Sequence, residues 1–228
     1  VTGSTSGIGK ELALGLSSYG ANVILHGKNE NSLDEIYDEI IQKFNTNPVI
    51  VKCDLNDLDE SKAQEFANAI QGSYERLDGI INNAAIIGKM STLADYDLAT
   101  WQKVININVT SSHVLTKYLV PLMEGSKNPR IIFTSSGVAE KGRAYWGAYA
   151  VSKAAVKSLA EILQEELEPI SQIRVFNFDP GKTKTAMRAF AYPAENPNDL
   201  KDASSLLSYY LWMLSEESNK TSERYIKF

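Results

Sequence analysis

Tyr149 and Lys153 are the side chains of this sequence whose types and spacing best suit proton transfer. They stand four residues apart on a predicted helix, so they share one helix face. A phenol with a pKa of about 10 is a poor base at neutral pH, and a neighbouring ammonium group favours its ionised form. We therefore expect Lys153 to lower the pKa of Tyr149. Taken alone, a Tyr-Lys pair at this spacing is more often an ordinary pair on a helix surface.

Ser136 ends the predicted strand that precedes this helix, and the loop between them returns the chain to Tyr149. A tyrosine here can exchange a proton with a carbonyl or alcohol oxygen, while a serine hydroxyl holds that oxygen in place. Such chemistry takes its hydride from a nicotinamide cofactor. The stretch therefore predicts an oxidoreductase only if the same chain also binds a dinucleotide.

A glycine-rich turn near the first residue offers a dinucleotide site. In "TGSTSGIG", Gly3, Gly7 and Gly9 precede an amphipathic helix, and glycines there allow the backbone to turn tightly and approach a phosphate. A phosphate-binding P-loop is excluded, because that motif has Ser or Thr after its lysine and here Lys10 is followed by Glu11. A plain strand-to-helix turn is the alternative. The cofactor contacts expected in the turn are Gly3, Ser4, Thr5, Ser6, Gly7, Ile8 and Gly9.

Residues after the predicted strands that begin at Ala21 and Pro48 bear on the choice of cofactor. NAD usually meets an acidic residue about twenty residues beyond the turn, but "LHGKNEN" places Lys28 there, beside Asn29. A cation suits the 2′-phosphate of NADP, so we expect NADP(H). NAD is the alternative if Lys28 is an ordinary solvated lysine. Asp54, followed by Leu55, either accepts a hydrogen bond from the adenine or caps the next turn.

The elements that position these residues follow from the hydrophobic pattern. Apolar, β-branched segments alternate with segments whose apolar residues recur every three or four positions, which is typical of buried parallel strands and covering helices. We expect one α/β domain over residues 1–228, a doubly wound parallel sheet of the Rossmann type with helices on both faces. Ligands bind such sheets at the carboxyl ends of the strands, where Asn83 and Ala84 also lie. The predicted strands begin at Ala21, Pro48, Asp78, Arg130, Ile173 and Arg224.

Two further segments carry expectations about the structure. Residues 101–123 are predicted as one long helix that contains Asn108. Residues 182–202 are irregular, because Pro193, Asn196 and Pro197 interrupt any helix, and they form either a lid over a site or an ordinary surface connection.

Composition limits the classes of partner. The net charge of −5, from 23 basic and 28 acidic side chains, gives no electrostatic reason to expect a nucleic acid or an anionic membrane as partner. The lone Cys53 cannot form an internal disulfide and has no second cysteine for a metal cluster, so we expect a cytoplasmic protein without a bound metal. The chain opens on Val1 without an initial Met, and we expect that both of its ends are trimmed and that further residues complete a first strand.

Together these motifs resemble those of the classical, single-domain short-chain dehydrogenase/reductases. The resemblance runs from Thr2 to about Ile226, and two segments, "FTSSGVAEKGRAYWGAYAVSK" and "TAMRAFAYPAENPNDLK", look most like the bacterial YciK-type oxidoreductases. Two departures are Ala85, where the family has the glycine of NNAG, and Ser222, where it often has glycine. The matching motifs are "TGSTSGIG" for TGxxxGxG, "CDL" for the adenine-binding Asp, "NNAA" for NNAG, "NVT" at Asn108, Ser136, "YAVSK" for YxxxK and "PGKTKT" for PGxxxT.

The resemblance implies a role for each matching residue. Tyr149 would be the acid/base and Ser136, thirteen residues before it, would orient the substrate oxygen in preference to Ser135. Lys153 would also hold the nicotinamide ribose, and Asn108 would anchor a water chain that starts at Lys153. The expected contacts around the nicotinamide and the phosphates are Pro180, Gly181, Thr183 and Thr185. The family commonly associates through its fourth and fifth helices and its last strand, which implies a homodimer or homotetramer.

Two functions from different classes are compatible with these features. The first is an NADP(H)-dependent oxidoreductase that acts on a small-molecule alcohol or carbonyl substrate. The second is a catalytically idle dinucleotide sensor or scaffold, because a fold does not guarantee turnover. The residues that either line an apolar substrate pocket or belong to the core and subunit contacts are Val138, Trp146, Met187, Phe190 and Tyr192.

Overall fold

Six parallel β-strands alternate with α-helices in the computed structural model, which describes residues 1–228. The strands are β1 (Ile24–Gly27), β2 (Val49–Lys52), β3 (Gly79–Asn82), β4 (Arg130–Thr134), β5 (Arg174–Asp179) and β6 (Tyr225–Lys227). The helices are α1 (Gly7–Ser18), α2 (Glu30–Lys43), α3 (Glu60–Ser73), α4 (Leu98–Ile105), α5 (Ser111–Leu119), α6 (Gly147–Leu167), α7 (Ala186–Ala191) and α8 (Leu207–Leu214).

The first residues of the chain connect two ladders of strands. β1 pairs with β2, and β3, β4, β5 and β6 form a second ladder in that order. Between the ladders, the main-chain nitrogen of Val1 donates to the Ile24 carbonyl at 3.1 Å, and that of Thr2 donates to the Ile81 carbonyl at 3.0 Å. Because all pairings are parallel, the carboxyl ends of the strands meet at one edge, with the glycine turn at its centre.

The two faces of the sheet carry separate hydrophobic clusters. Side chains alternate between the faces of a strand, so Ile80 and Ile131 pack in one cluster with residues of α3, α5 and α6. Their neighbours Ile81 and Ile132 pack in the other cluster with residues of α1, α2 and α8. The doubly wound α/β architecture predicted from the sequence is confirmed. None of the helices is long and apolar enough to cross a membrane.

The segment predicted as one long helix is divided in the structure. α4 leads into a π-helical turn, Asn106–Thr110, and α5 follows. A π-helical turn closes its hydrogen bonds over one extra residue, and the spacing of the apolar residues gives no sign of it. The turn contains the side chain of Asn108, which is only 2% exposed.

Residues 182–202 contain a short helix, α7, that the sequence pattern did not indicate. Its first turn is capped by Thr185, whose Oγ1 accepts a hydrogen bond from the Arg188 nitrogen at 3.1 Å. The helix stops at Ala191, two residues before Pro193, as expected because a proline disfavours helical geometry in the residue before it. The prolines therefore limit α7 to six residues.

His26, in β1, is buried directly beneath the glycine turn. Its main-chain nitrogen donates to Ser4 Oγ at 2.9 Å, and its Nδ1 accepts from the Gly3 nitrogen at 3.2 Å. An accepting Nδ1 requires a neutral ring, and burial lowers the pKa of His26 from 6.5 to about 4. Folding therefore keeps this ring neutral at pH values where the unfolded chain would protonate it.

We expect the free energy of unfolding to fall as the pH drops from 6.5 towards 4, since the unfolded chain then binds a proton that the folded chain does not. With a pKa of about 4 in the folded chain, His26 alone accounts for a loss of about 2 kcal/mol between pH 7 and pH 5. His26→Asn keeps an acceptor but does not titrate, so its stability should depend less steeply on pH. Urea unfolding at the two pH values measures this difference. His113→Asn, at the other and exposed histidine, is the control, and equal pH dependence of wild type and His26→Asn would contradict the prediction.

Candidate active site

A cleft runs along the carboxyl ends of the strands and collects most of the residues that the sequence singled out. Its wall includes the end of every strand from β1 to β5, the glycine turn and part of α7. The predicted residues that line it are Gly3, Thr5, Ser6, Gly7, Ile8, Lys28, Asp54, Leu55, Asn83, Ala84, Ser136, Tyr149, Lys153, Pro180, Gly181, Thr183 and Thr185.

Tyr149, Lys153 and Ser136 meet in the middle of this cleft. The first two lie in α6 and are buried, and Ser136 follows β4 and lines the cleft beside Tyr149. The Lys153 Nζ lies 5.7 Å from the centroid of the Tyr149 ring and donates to the Thr134 carbonyl at 2.6 Å. Ser135 also lines the cleft, but its Oγ is buried without a partner.

The pKa of Tyr149 differs from the sequence-based expectation. Burial raises the pKa of Tyr149 to about 12, the neighbouring Ser136 hydroxyl opposes the rise, and the carboxylate of Asp179 adds to it. Burial lowers the pKa of Lys153 to about 8, against the attraction of Asp179. The expectation that Lys153 lowers the pKa of Tyr149 is wrong, because desolvation controls that pKa and the ammonium group is directed to the Thr134 carbonyl instead. Both side chains are therefore protonated at neutral pH.

Asn108 lies behind the cleft wall and holds two elements together. Its Oδ1 accepts from the Ile86 nitrogen at 2.8 Å, and its Nδ2 donates to the Ile86 carbonyl and to Ser152 Oγ, each at 2.9 Å. The π-helical turn directs the side chain inward, so Asn108 fixes the strand-end loop against α6 beside Lys153. Its expected role in a water chain stays a prediction.

The glycine turn approaches its neighbours too closely for side chains. Gly3 and Gly7 have φ of 66° and 52°, in the left-handed region that favours glycine. At Gly9, a Cβ would lie 2.1 Å from the Gly3 carbonyl oxygen. Ser6 precedes α1 but its side chain does not cap the helix, so the first N–H groups of α1 are free to bind an anion at the cleft.

Four expected residues do not reach the cleft wall. Ser4 is fully buried, because its Oγ pairs with the main chain of His26, and Gly9 is buried in the turn. Asn29 caps α2 instead, accepting from the Ser32 nitrogen at 3.0 Å. Asn108, the fourth, acts from behind the wall as described.

Lys28 and Asp54 lie at the end of the cleft beside β1 and β2, where the sequence predicts the adenine. Lys28 is exposed at the end of β1 and lines the cleft. The Asp54 side chain lines the same end but also accepts from the Asn56 nitrogen at 3.0 Å, so it does cap the turn after β2. Leu55, beside it, is buried.

The opposite wall is built by the ends of β3 and β5. Asn83 Nδ2 donates to the Thr2 carbonyl at 3.1 Å, which ties the wall to the glycine turn. Thr183 is buried, and its Oγ1 donates to the Pro180 carbonyl at 3.1 Å. Ala85, in place of the family's glycine, has no positive φ, since Tyr145 is the one non-glycine residue with a left-handed backbone. The alanine therefore causes no backbone strain here.

Sequence reasoning missed two charged residues of the cleft, Asp179 and Arg188. Asp179 ends β5 just before Pro180, so its position at a strand end was a usable signal. Arg188 was missed because it lies on α7, a helix that no sequence pattern indicated.

Two of the five candidate pocket residues, Trp146 and Met187, line the cleft. The other three, Val138, Phe190 and Tyr192, do not. Val138 is buried against Tyr149, and Phe190 is 59% exposed.

Comparison with known proteins identifies relatives along nearly the whole chain. The oxidoreductase YciK of Escherichia coli K12, which is uncharacterized, is 37% identical over 220 residues, which are 96% of this chain and 86% of that protein. A short chain dehydrogenase of Shigella flexneri 2a, crystallised with NADP, is 36% identical with a TM-score of 0.96, covering 100% of this chain and 94% of that one. A short chain dehydrogenase of Escherichia coli CFT073, crystallised with NADPH, has the same identity, TM-score and coverage.

The family-level match agrees with the motifs and with the geometry of the cleft. The profile of the short chain dehydrogenases matches residues 1–196, which include the glycine turn, Ser136, Tyr149 and Lys153. The similarity to the YciK type expected from the two segments around Tyr149 and α7 is confirmed. This chain therefore belongs to the short-chain dehydrogenase family.

Proposed function

We propose that this chain is an NADP(H)-dependent oxidoreductase that interconverts an alcohol and a carbonyl compound. The observation that carries the proposal is the meeting of Tyr149, Lys153 and Ser136 in a cleft that continues to the uncapped N-terminus of α1. The proton-transferring groups and the phosphate site then lie in one cleft, which can hold the cofactor and the substrate side by side. The NADP and NADPH complexes of the Shigella and Escherichia relatives support the choice of cofactor.

The protonation state of Tyr149 favours proton donation to a carbonyl substrate. Because its pKa is raised to about 12, Tyr149 holds its proton at neutral pH and can give it to the oxygen of a carbonyl substrate. We assign to Ser136 a hydrogen bond to the same oxygen. When bound, NADPH supplies the hydride that the carbonyl carbon accepts, and the alcohol and NADP⁺ result.

Lys153 and Asn108 assist Tyr149 in its role as proton donor. Lys153 is still mostly protonated at neutral pH, with a pKa of about 8, and its positive charge beside the Tyr149 ring stabilises the phenolate left after proton donation. We assign its ammonium group to the nicotinamide ribose as well. Asn108 keeps this part of α6 in place through Ser152.

Tyr149→Phe removes the proton donor but keeps the ring, so we expect at least about a 100-fold lower kcat for NADPH-dependent carbonyl reduction. Steady-state oxidation of NADPH with a panel of aldehydes and ketones measures it. The Kd of NADPH should stay within about twofold, since no phosphate contact changes. Tyr145→Phe, at the exposed tyrosine nearby, is the matched control. Tight NADPH binding without Tyr149-dependent turnover on any substrate would favour an idle sensor instead.

Lys28→Asp replaces a cation by an anion at the adenine end of the cleft. We expect NADPH binding to weaken by at least about tenfold, because a charge-assisted contact to the 2′-phosphate is lost, while NADH binding changes little. Fluorescence titration with both cofactors measures the ratio of the two Kd values. Lys103→Asp, an equal charge change at an exposed residue of α4 outside the cleft, should affect neither. Equal weakening of both cofactors by Lys28→Asp would show that Lys28 does not face the 2′-phosphate.

We also propose that the chain forms a homodimer or homotetramer. Val151 and Ile162 on α6 are 46% and 53% exposed, which supports an apolar contact through this helix. Light scattering should give two or four times the 25.2 kDa of one chain. A mass of one chain at micromolar concentration would contradict the proposal.

A further inference from the structure

The substrate end of the cleft contains a charged side chain whose charge is already paired. Arg188, on α7, lines the cleft, and its Nε and Nη2 donate to the two carboxylate oxygens of Glu195, each at 2.6 Å. Only 18% of the Arg188 side chain and 21% of the Glu195 side chain are exposed. This forked, partly buried geometry is the one with which arginine binds a carboxylate most specifically.

Aromatic rings fix the same guanidinium from its face. The Arg188 guanidinium carbon lies 3.7 Å from the centroid of the Tyr192 ring. Tyr192 packs against Trp146, with centroids 5.7 Å apart, and Trp146 packs against Tyr149 at 5.6 Å. One continuous series of contacts therefore runs from Glu195 through Arg188, Tyr192 and Trp146 to Tyr149. With its edge paired to Glu195 and its face against Tyr192, Arg188 is held in one orientation.

The other charged groups of the cleft lie elsewhere. Lys28 and Asp54 belong to the adenine end, and Lys153 and Asp179 lie beneath Tyr149. The wall between Tyr149 and α7 is otherwise apolar, and it is formed by Ile87, Trp146, Ala186, Met187 and Ala191. Arg143, the other cation on this side, lies outside the cleft lining, where its Nη1 donates to the Tyr192 hydroxyl at 3.4 Å. A substrate that extends from Tyr149 towards α7 therefore meets apolar surface and an arginine whose charge is already paired.

We propose that the substrate is an uncharged carbonyl compound whose flat apolar group, aromatic or alicyclic, packs against Trp146, and that Glu195 sets this preference by occupying Arg188. This inference rests on the proposed function. A substrate carboxylate would lose its hydration in this wall and find no free cation, which costs binding. A flat apolar group instead gains contact area with the indole ring.

The test uses a matched pair of ketones, 2-acetylnaphthalene and its ring-carboxylated analogue 6-acetyl-2-naphthoate. With NADP⁺ neither ketone can be reduced, so calorimetry gives equilibrium Kd values, and with NADPH the same pair gives kcat/KM. Wild type should bind and reduce the uncharged ketone at least about tenfold better than the carboxylate. Glu195→Gln keeps the shape but removes the charge that occupies Arg188, so the carboxylate should improve about tenfold or more and the preference should shrink or reverse.

Control variants separate the pairing from general effects. Glu165→Gln, at an exposed acid on α6, should leave the ratio of the two ketones unchanged. Arg188→Met removes the cation, and in the double variant Arg188→Met/Glu195→Gln the gain for the carboxylated ketone should disappear. Because Arg188→Met tests the same pairing, the inference stays open to refutation if Glu195→Gln folds poorly.

Two results would overturn the inference: a wild type that prefers the carboxylated ketone, or a Glu195→Gln variant whose ratio of the two ketones equals that of wild type. Failure to bind either ketone with NADP⁺ would overturn the flat apolar substrate class. Selective binding of the uncharged ketone without any NADPH oxidation would support the inference about the pocket while contradicting the proposed oxidoreductase. The binding and turnover measurements thus separate the two failures.

Discussion

The structure depends on one close approach of backbone to backbone, in the glycine turn before α1. A Cβ at Gly9 would lie 2.1 Å from the Gly3 carbonyl oxygen, so the turn exists only without a side chain there. His26 accepts from the Gly3 nitrogen on one side, and Asn83 donates to the Thr2 carbonyl on the other. The strands on both sides of the sheet centre thereby hold the turn, and the turn places the free N–H groups of α1 at the cleft.

Burial is the second constraint, and it acts on the reacting groups themselves. Tyr149 and Lys153 are both buried, Tyr149 in a small apolar cluster, and desolvation favours the neutral form of each. The result is an acid whose pKa is raised to about 12 beside a base whose pKa is lowered to about 8. Ionising Tyr149 becomes easier only where a partner offsets the desolvation, and the neighbouring Ser136 hydroxyl is such a partner.

Much of this arrangement could be predicted from the sequence, and the exceptions have physical reasons. The strands were predictable because buried parallel strands are short apolar, β-branched runs. The reacting residues were predictable because Tyr149 and Lys153 share a helix face and Ser136 ends a strand. The π-helical turn was not, since it leaves the apolar spacing of α4 and α5 intact, and Ser4 was misplaced because sequence does not show which way a turn side chain points. The pKa of Tyr149 depends on burial, which spacing does not reveal.

α7 contributes to two parts of the cleft, the side that faces the glycine turn and the wall beside Tyr149. Thr185 lines the cleft opposite the glycine turn, where a Cβ at Gly7 would contact its side chain at 3.4 Å, and it also caps the helix that carries Arg188. Through Tyr192 and Trp146 the same helix packs towards Tyr149. A displacement of α7 would therefore alter the side of the cleft that faces the glycine turn and the wall beside Tyr149 together. Because Glu195 lies in the same segment and pairs with Arg188, the charge proposed to disfavour carboxylated substrates also fixes the helix that borders the glycine turn.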